Sequence, residues 1–315
     1  VAGAVIRLLV ARLFQIALTL AALSAAMFLL IGLMPGDPID LAIAGDPRLT
    51  PEDAARMRAL HGLDQPLLAR YAAWAQALLA GQFGHSRLFA QPVAQVIAPA
   101  LVSTLVLLGA ALLVAAGIGL ALGALAAARP RTAPAVDAIA ILGQSAPSFW
   151  AGILLIILFA VTLGWLPAGG VPDGGGVAEA LRFLVLPVAT LALANLAAYA
   201  RHSAAALSAT LREPWVVAAR ARGNGEARVL FRHAFPNAAV PILQVAALDA
   251  GSLVGGALIT ETLFARPGMG KLIYDAVMGN DTNLALVALL LVALVTMLAT
   301  LAADLAQRAL DPRLA

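Results

Sequence analysis

From Leu101 to Ala128 the chain runs for 28 residues without a charged side chain. About 20 apolar residues in a helix cross the hydrocarbon core of a bilayer. In lipid every backbone N–H and C=O must be satisfied internally, which leaves helices and closed barrels as the spanning structures. A run of this length and Leu/Ala content commits the chain to a membrane helix, and the remaining segments have to fit around it. Composition agrees, with 62% hydrophobic and 12% charged residues, roughly half the charge of a soluble domain. The absence of cysteine removes disulfides and thiolate metal sites. The four histidines, His61, His85, His202 and His233, are too scattered for a local metal motif.

Five further stretches repeat the pattern. Arg7 and Arg12 precede an apolar run from Leu13 to Met34, too long for the apolar part of a secretory signal, which is about 7–15 residues. Pro35-Gly36-Asp37-Pro38 ends it. Ala138–Leu163 is the third span, interrupted at Ser145-Ala146-Pro147-Ser148, Leu184–Tyr199 the fourth, Ile242–Phe264 the fifth and Leu284–Leu305 the sixth. Gly119 and Gly123 form a small-xxx-small pattern that permits close helix contact. Between the first two spans lies the largest polar stretch. Thr50-Pro51-Glu52-Asp53 reads as a helix start, and Leu67, Tyr71, Trp74, Ala75 and Leu78 share one side of a second helix over Pro66–Leu79. Tyr71 and Trp74 read as packing or interface residues. The expected organisation is all-α: a polytopic membrane protein with six spans. Residues 1–34 hold the first span, 35–98 a small helical insertion and 99–315 the membrane core.

One segment breaks the apolar pattern. Residues 201–241 carry Arg201, Arg212, Arg220, Arg222, Arg228 and Arg232 against Glu213 and Glu226. Glu213-Pro214 opens a short helix and Gly223-Asn224-Gly225 closes it with a turn. From Glu226 a second helix is predicted, with Ala227, Leu230, Phe231, Ala234 and Phe235 as one apolar stripe, Arg228 and Arg232 flanking it and Pro236 ending it. Two short helices with a greasy face, held outside the bilayer, form a docking surface.

Arginine distribution sets orientation. One side collects Arg7, Arg12, Arg129, Arg131, the six arginines above, Arg308 and Arg313, 12 in all, against 8 basic residues on the other. Several of the eight sit in the long insertion, where they count least. Both termini and residues 201–241 are therefore expected on the cytoplasmic side, and the insertion outside.

No catalytic set emerges. Gly268-Met269-Gly270-Lys271 resembles the end of a phosphate loop, but Ala265 stands where the first glycine belongs and Leu272 where a magnesium-binding hydroxyl belongs. A membrane enzyme would need a convergent acid, base or metal set, and an intramembrane serine protease would have only His202, at a span edge. Asp249 is the carboxylate well inside a span, where ionisable groups cost about 2.5–3.5 kcal/mol and face a cavity or a partner. It reads equally as a path-lining residue or an interhelical hydrogen bond. Asn195 and Ser145 are the other candidates for a translocation path. Glu261 and Asp304 lie at span ends, where structural roles are expected.

Taken together, Pro35-Gly36-Asp37-Pro38, Leu63-Asp64-Gln65-Pro66 with Arg70-Tyr71, Ser145-Ala146-Pro147-Ser148-Phe149-Trp150 and Leu163-Gly164-Trp165-Leu166-Pro167 resemble the permease subunits of the dipeptide/oligopeptide/nickel class of bacterial ABC importers. So do Glu261-Thr262-Leu263-Phe264 with Pro267-Gly268-Met269-Gly270, and Leu310-Asp311-Pro312-Arg313. Importer permeases of this kind carry a cytoplasmic motif, EAA, three residues, G, nine residues, I-x-L-P. Here Ala218-Ala219, Gly223 and Phe235-Pro236 match it, while Val217 replaces the Glu and His233 the Ile.

The resemblance implies a type I importer fold in the bacterial cytoplasmic membrane, with the long insertion marking the first-permease type. It implies a second permease, two ATPases and a periplasmic or lipid-anchored binding protein as partners, with membrane lipid around them and no nucleic acid. ATP and Mg would bind in the ATPases and no cofactor in this chain. The expected function is non-catalytic: translocation of short peptides by alternating access. Nickel chelates, glutathione or another small solute are rival substrates, and an ATP-independent secondary transporter is the rival mechanism. The coupling residues so implied are Ala218, Ala219, Gly223, Glu226, Ala227, Arg228, Leu230, Phe231, Arg232, Ala234, Phe235 and Pro236.

Overall fold

A computed structural model describes residues 2–32, 50, 52, 56, 65–239 and 257–310. Among these, four helices are long and apolar enough to cross a bilayer. They lie in α1 (Ala2–Gly32), α3 (Val93–Ala128), α6 (Gly176–Thr210) and α10 (Thr282–Leu310). Two further pieces, α4 (Ala133–Ser145) and α5 (Ser148–Leu155), the latter continuing as a π-helix over Ile156–Thr162, are bent by 95° and make a fifth if the pair is one span. The break falls at Ala146-Pro147, because proline withdraws an N–H and pushes its predecessor into the extended region, as Ala146 shows with φ −93° and ψ 133°. Of the expected fifth span, 257–263 are described and helical. Asp249, Pro35-Gly36-Asp37-Pro38, Leu63-Asp64 and Asp311-Pro312-Arg313 lie outside the described residues, as does most of the helix start at Thr50.

The chain divides into two compact units. One comprises Leu9–Ala98 and Leu272–Leu294. In it α2 (Leu67–Leu79) packs on α1 through aromatic edges, with Phe28 5.5 Å from Tyr71 and 5.7 Å from Trp74. Tyr71 Oη and Ser24 Oγ share a 2.8 Å hydrogen bond. The packing reading of Tyr71 and Trp74 accounts for both. A two-residue antiparallel pair, β1 (His85–Ser86) with β2 (Gln91–Pro92), follows. Buried Asp281 gathers it in, accepting from Ser86 Oγ at 2.6 Å and Leu88 N at 2.9 Å. The same side chain takes Leu284 N at 3.2 Å, capping α10. Asn283 accepts from Trp74 Nε1 and donates to Phe83 O.

The other unit comprises Val1–Leu8, Pro99–Lys271 and Val295–Ala315. Its core is the seam of α3 and α6. A Cβ at Gly119 would strike Tyr199, and one at Gly123 would lie 2.5 Å from Ser203 Cβ and 2.8 Å from Ala200 O. The two helices therefore touch backbone to backbone, as the small-residue spacing expects. Ala115, Ala192 and Tyr199 close one layer of the seam; Ala126, Val136 and Ala200 bring α4 into the next. Polar side chains on α6 turn back on their own helix: Thr190 Oγ1 onto Leu186 O, Asn195 Nδ2 onto Leu191 O, Ser203 Oγ onto Tyr199 O.

Two helices run past the bounds read from the sequence. The fourth span, expected as Leu184–Tyr199, is a 35-residue helix, about 52 Å at 1.5 Å per residue. Arg201–Thr210 therefore continues α6, and the segment expected as a loop over 201–241 begins ten residues later. The helix α3 starts at Val93, within the stretch assigned to the insertion, and accommodates Pro99 inside its second turn. The third span is broken at Pro147 into two helices, at the interruption read from the sequence.

Candidate functional site

Below the end of α6 the chain doubles back in a wedge. Leu211 and Arg212 turn out of the helix, and α7 (Pro214–Ala221) begins with proline at a position that needs no N–H. Glu213 O receives Val216 N at 2.9 Å and Val217 N at 3.1 Å. The helix stops at Gly223, whose φ of +82° is the left-handed conformation that glycine adopts without a Cβ penalty. Asn224 seals the stop, donating from N and Nδ2 to Ala219 O. The chain resumes as Glu226–Arg228 and continues as a π-helix over Val229–Ala234.

One guanidinium fixes these pieces. Arg220 donates from Nε and Nη2 to the two oxygens of Glu226 at 3.0 and 3.1 Å, and from Nη1 to Leu211 O at 3.2 Å. Beneath it Leu207, Leu211, Val216, Val229, Ala234 and Ala238 form a small buried core, with Leu120, Leu230 and Phe235 packed against it. Full burial of a residue such as Val229 contributes about 1.5–3 kcal/mol.

The candidate residues fall into two groups. Ala219 and Ala234 are buried and Leu230 and Phe235 half-buried, so these hold the wedge to its own helix. Ala218, Ala227, Arg228, Phe231, Arg232 and Pro236 are exposed. Phe231 is 65% exposed and lies outside the core, a correction to the single stripe read from the sequence. In the π-helical stretch each turn takes in an extra residue. Val229, Ala234 and Ala238 therefore point inward in place of an α-helical i, i+3, i+4 set. Trp215 and Val217, 40% and 52% exposed, join Phe231 on the open surface. Trp215 was not singled out by spacing, although a tryptophan beside a helix-opening proline in a polar segment was a usable sign.

The path candidates are engaged locally. Ser145 Oγ donates to Ile141 O at 2.6 Å and Asn195 to its own helix, while Asp249 is outside the described residues. His202 is exposed beside Ser203, whose hydroxyl is committed to Tyr199 O. No group of three or more His, Asp or Glu side chains suited to a metal occurs among the described residues.

A second constellation lies at the end of the fifth-span helix. Glu261 is fully buried and accepts from Thr104 Oγ1 and from Lys271 N at 3.1 Å, with Gly270 N also directed at it. Thr104 Oγ1 in turn accepts Met269 N at 2.7 Å. The carboxylate occupies the space that a Cβ on Gly268 would need, so Gly268-Met269-Gly270-Lys271 wraps a glutamate and no phosphate. Phe264 O accepts Gly170 N at 2.7 Å, tying the glycine-rich loop to the same knot. Arg266 is 9% exposed; burial holds its pKa below the ordinary guanidinium value, opposed by the charge of Glu261.

The family model for the binding-protein-dependent transport system inner membrane component matches residues 119–315, and the model for the N-terminal part of such membrane components matches 5–102. The di/tripeptide transport system permease protein DppB of Pseudomonas aeruginosa is 36% identical over 312 residues, covering 91% of this chain and 92% of that protein. A protein of Brucella ovis named as a peptide permease is 34% identical over 301 residues, 94% of each chain. Among solved structures, an inward-facing MetNI methionine ABC transporter chain aligns with a TM-score of 0.57 at 21% identity, covering 70% of this chain and 98% of that one. That likeness establishes the type I importer permease fold, while the segments matched by the two family models, 5–102 and 119–315, take in the wedge, the spans and the insertion. The chain belongs to the family of multi-pass inner-membrane components of binding-protein-dependent transport systems.

Proposed function

We propose that the chain is the transmembrane subunit of an ATP-driven importer of short peptides, with its wedge seated on a partner ATPase. The exposed Phe231 on a wedge whose opposite side is packed against α6 carries this reading. A large aromatic left open on a rigid extramembrane element is an anchor for a partner's pocket. Because α6 runs unbroken from Gly176 to Thr210, a push on the wedge reaches the membrane helices through a continuous rod.

The peptide substrate is supported by the names of the relatives, which cover nearly the full chain. The chain itself would do no chemistry: ATP and Mg would bind in two ATPases. A second permease and a periplasmic or lipid-anchored binding protein would complete the assembly. The arginine bias supports cytoplasmic termini and a cytoplasmic wedge. Residues 35–92 would then form the extracytoplasmic insertion and 211–239 the coupling element.

Reconstitution tests this reading. The chain with its partner subunits in vesicles should take up dipeptides only when ATP and the binding protein are present. Phe231→Glu should cut uptake at least tenfold while the chain still inserts. Uptake by this chain alone, driven by an ion gradient, would replace the importer with a secondary transporter.

A further inference from the structure

Two buried donors in the described residues meet no acceptor there, Ser103 Oγ and Arg266 Nε. Both border the Glu261 knot: Ser103 precedes Thr104, and Arg266 follows Glu261 by five residues, its backbone N bonded to Glu261 O at 2.7 Å. A buried donor without an acceptor costs about 1–3 kcal/mol, more when charged, and such groups persist where something else fills them. Glu261 does not bond to this one. Its oxygens accept from Thr104 Oγ1, Lys271 N and Gly270 N, and it balances the arginine's charge across space without supplying a bond. Ala265, just before, holds a φ of +48°, so the turn that places Arg266 is backbone that a non-glycine residue rarely adopts.

We propose that Arg266 is a carboxylate-binding residue at the extracytoplasmic end of the fifth span, receiving the carboxylate of the incoming solute. The guanidinium fork matches a carboxylate in two parallel bonds. A zwitterionic peptide brings its own ammonium, so the charge balance between Arg266 and Glu261 is kept. The inference rests on the peptide-importer reading and deepens it: it makes the permease, and not only the binding protein, sensitive to the solute's free carboxyl end.

The experiment uses the complete importer with its binding protein in vesicles and compares uptake of dialanine and dialanine amide. Wild type should favour the free acid about tenfold. Arg266→Gln should lower uptake of the acid to that of the amide, and Arg266→Lys should retain part of the preference. An unchanged acid-to-amide ratio in Arg266→Gln, or equal loss of both substrates, would overturn the proposal; the latter would mark a contact with protein or lipid. A second measurement needs no peptide transport. Phenylglyoxal modification of Arg266 in the purified complex, read by mass spectrometry, should slow severalfold in acetate relative to acetamide, and equal rates would overturn the proposal. If neither peptide is carried by wild type and acetate still protects, the carboxylate site stands and the peptide reading falls.

Discussion

Arg220 and Glu226 face each other across the turn at Gly223 in a two-point ion pair of 3.0 and 3.1 Å, and the third nitrogen of the same arginine holds Leu211 O at 3.2 Å. A single side chain thus joins the end of α6, the end of α7 and the start of the following helix. Exposed ion pairs contribute about 0.2–1 kcal/mol, so this one does not determine whether the protein folds. Under the proposed coupling role its importance lies in geometry, because a wedge free to pivot at Gly223 would absorb a partner's push instead of passing it to α6.

Removal of that link should therefore uncouple more than it destabilises. Arg220→Ala is expected to shift the melting temperature of the purified complex by a few degrees at most, while lowering solute moved per ATP hydrolysed about threefold or more. Arg220→Lys loses the fork and should fall between. Parallel melting and transport-stoichiometry measurements decide; an unchanged stoichiometry would assign the pair to the surface.

The α3–α6 seam gives a paired test. Gly119→Ala would drive a methyl into Tyr199 and should cost about 1–3 kcal/mol. Gly117→Ala, two residues away with nothing within 4 Å, should be neutral or stabilise by up to about 1 kcal/mol through helix propensity. Thermal unfolding in detergent separates the two, and equal shifts would contradict backbone contact at Gly119.

At the Glu261 knot, Glu261→Gln puts an amide where two acceptor oxygens serve Thr104, Lys271 and Gly270. A loss of about 1.5–3 kcal/mol is expected, the range for hydrogen bonds to a charged group. Thr104→Val removes the hydroxyl that links Glu261 to Met269 N and should cost a similar amount. The double variant should lose less than the sum, since both act on one network. Strict additivity in the melting data would mean the two side chains stabilise the turn independently.

Much of this was legible in the sequence, and the failures have physical causes. Uncharged runs located the membrane, and Pro214 and Gly223 located the ends of α7, because both signals are local. Helix length was not local. Hydropathy bounded the fourth apolar run at Tyr199, whereas the helix continues to Thr210 on its own hydrogen bonds. The phase of the wedge was also misread, because an α-helical period was applied to Val229–Ala234, whose π-helical turn buries Val229 and leaves Phe231 open. Glu261 looked structural from its place at a span end, and its buried contacts agree. That Arg266 would be buried beside it had no sequence signal, since the turn that buries it is built from Thr104 on a distant helix.

The most direct measurement exploits the chain's lack of cysteine. Phe231→Cys in the assembled importer, treated with a short thiol-reactive crosslinker, should join this chain to an ATPase subunit. Cysteine at the buried Ala219 should not react. The Phe231→Cys product should also change in yield between nucleotide-free and ATP-bound states. A transport-active complex in which Phe231→Cys joins only to this chain's own helices, or to nothing, would contradict the docking of the wedge on an ATPase.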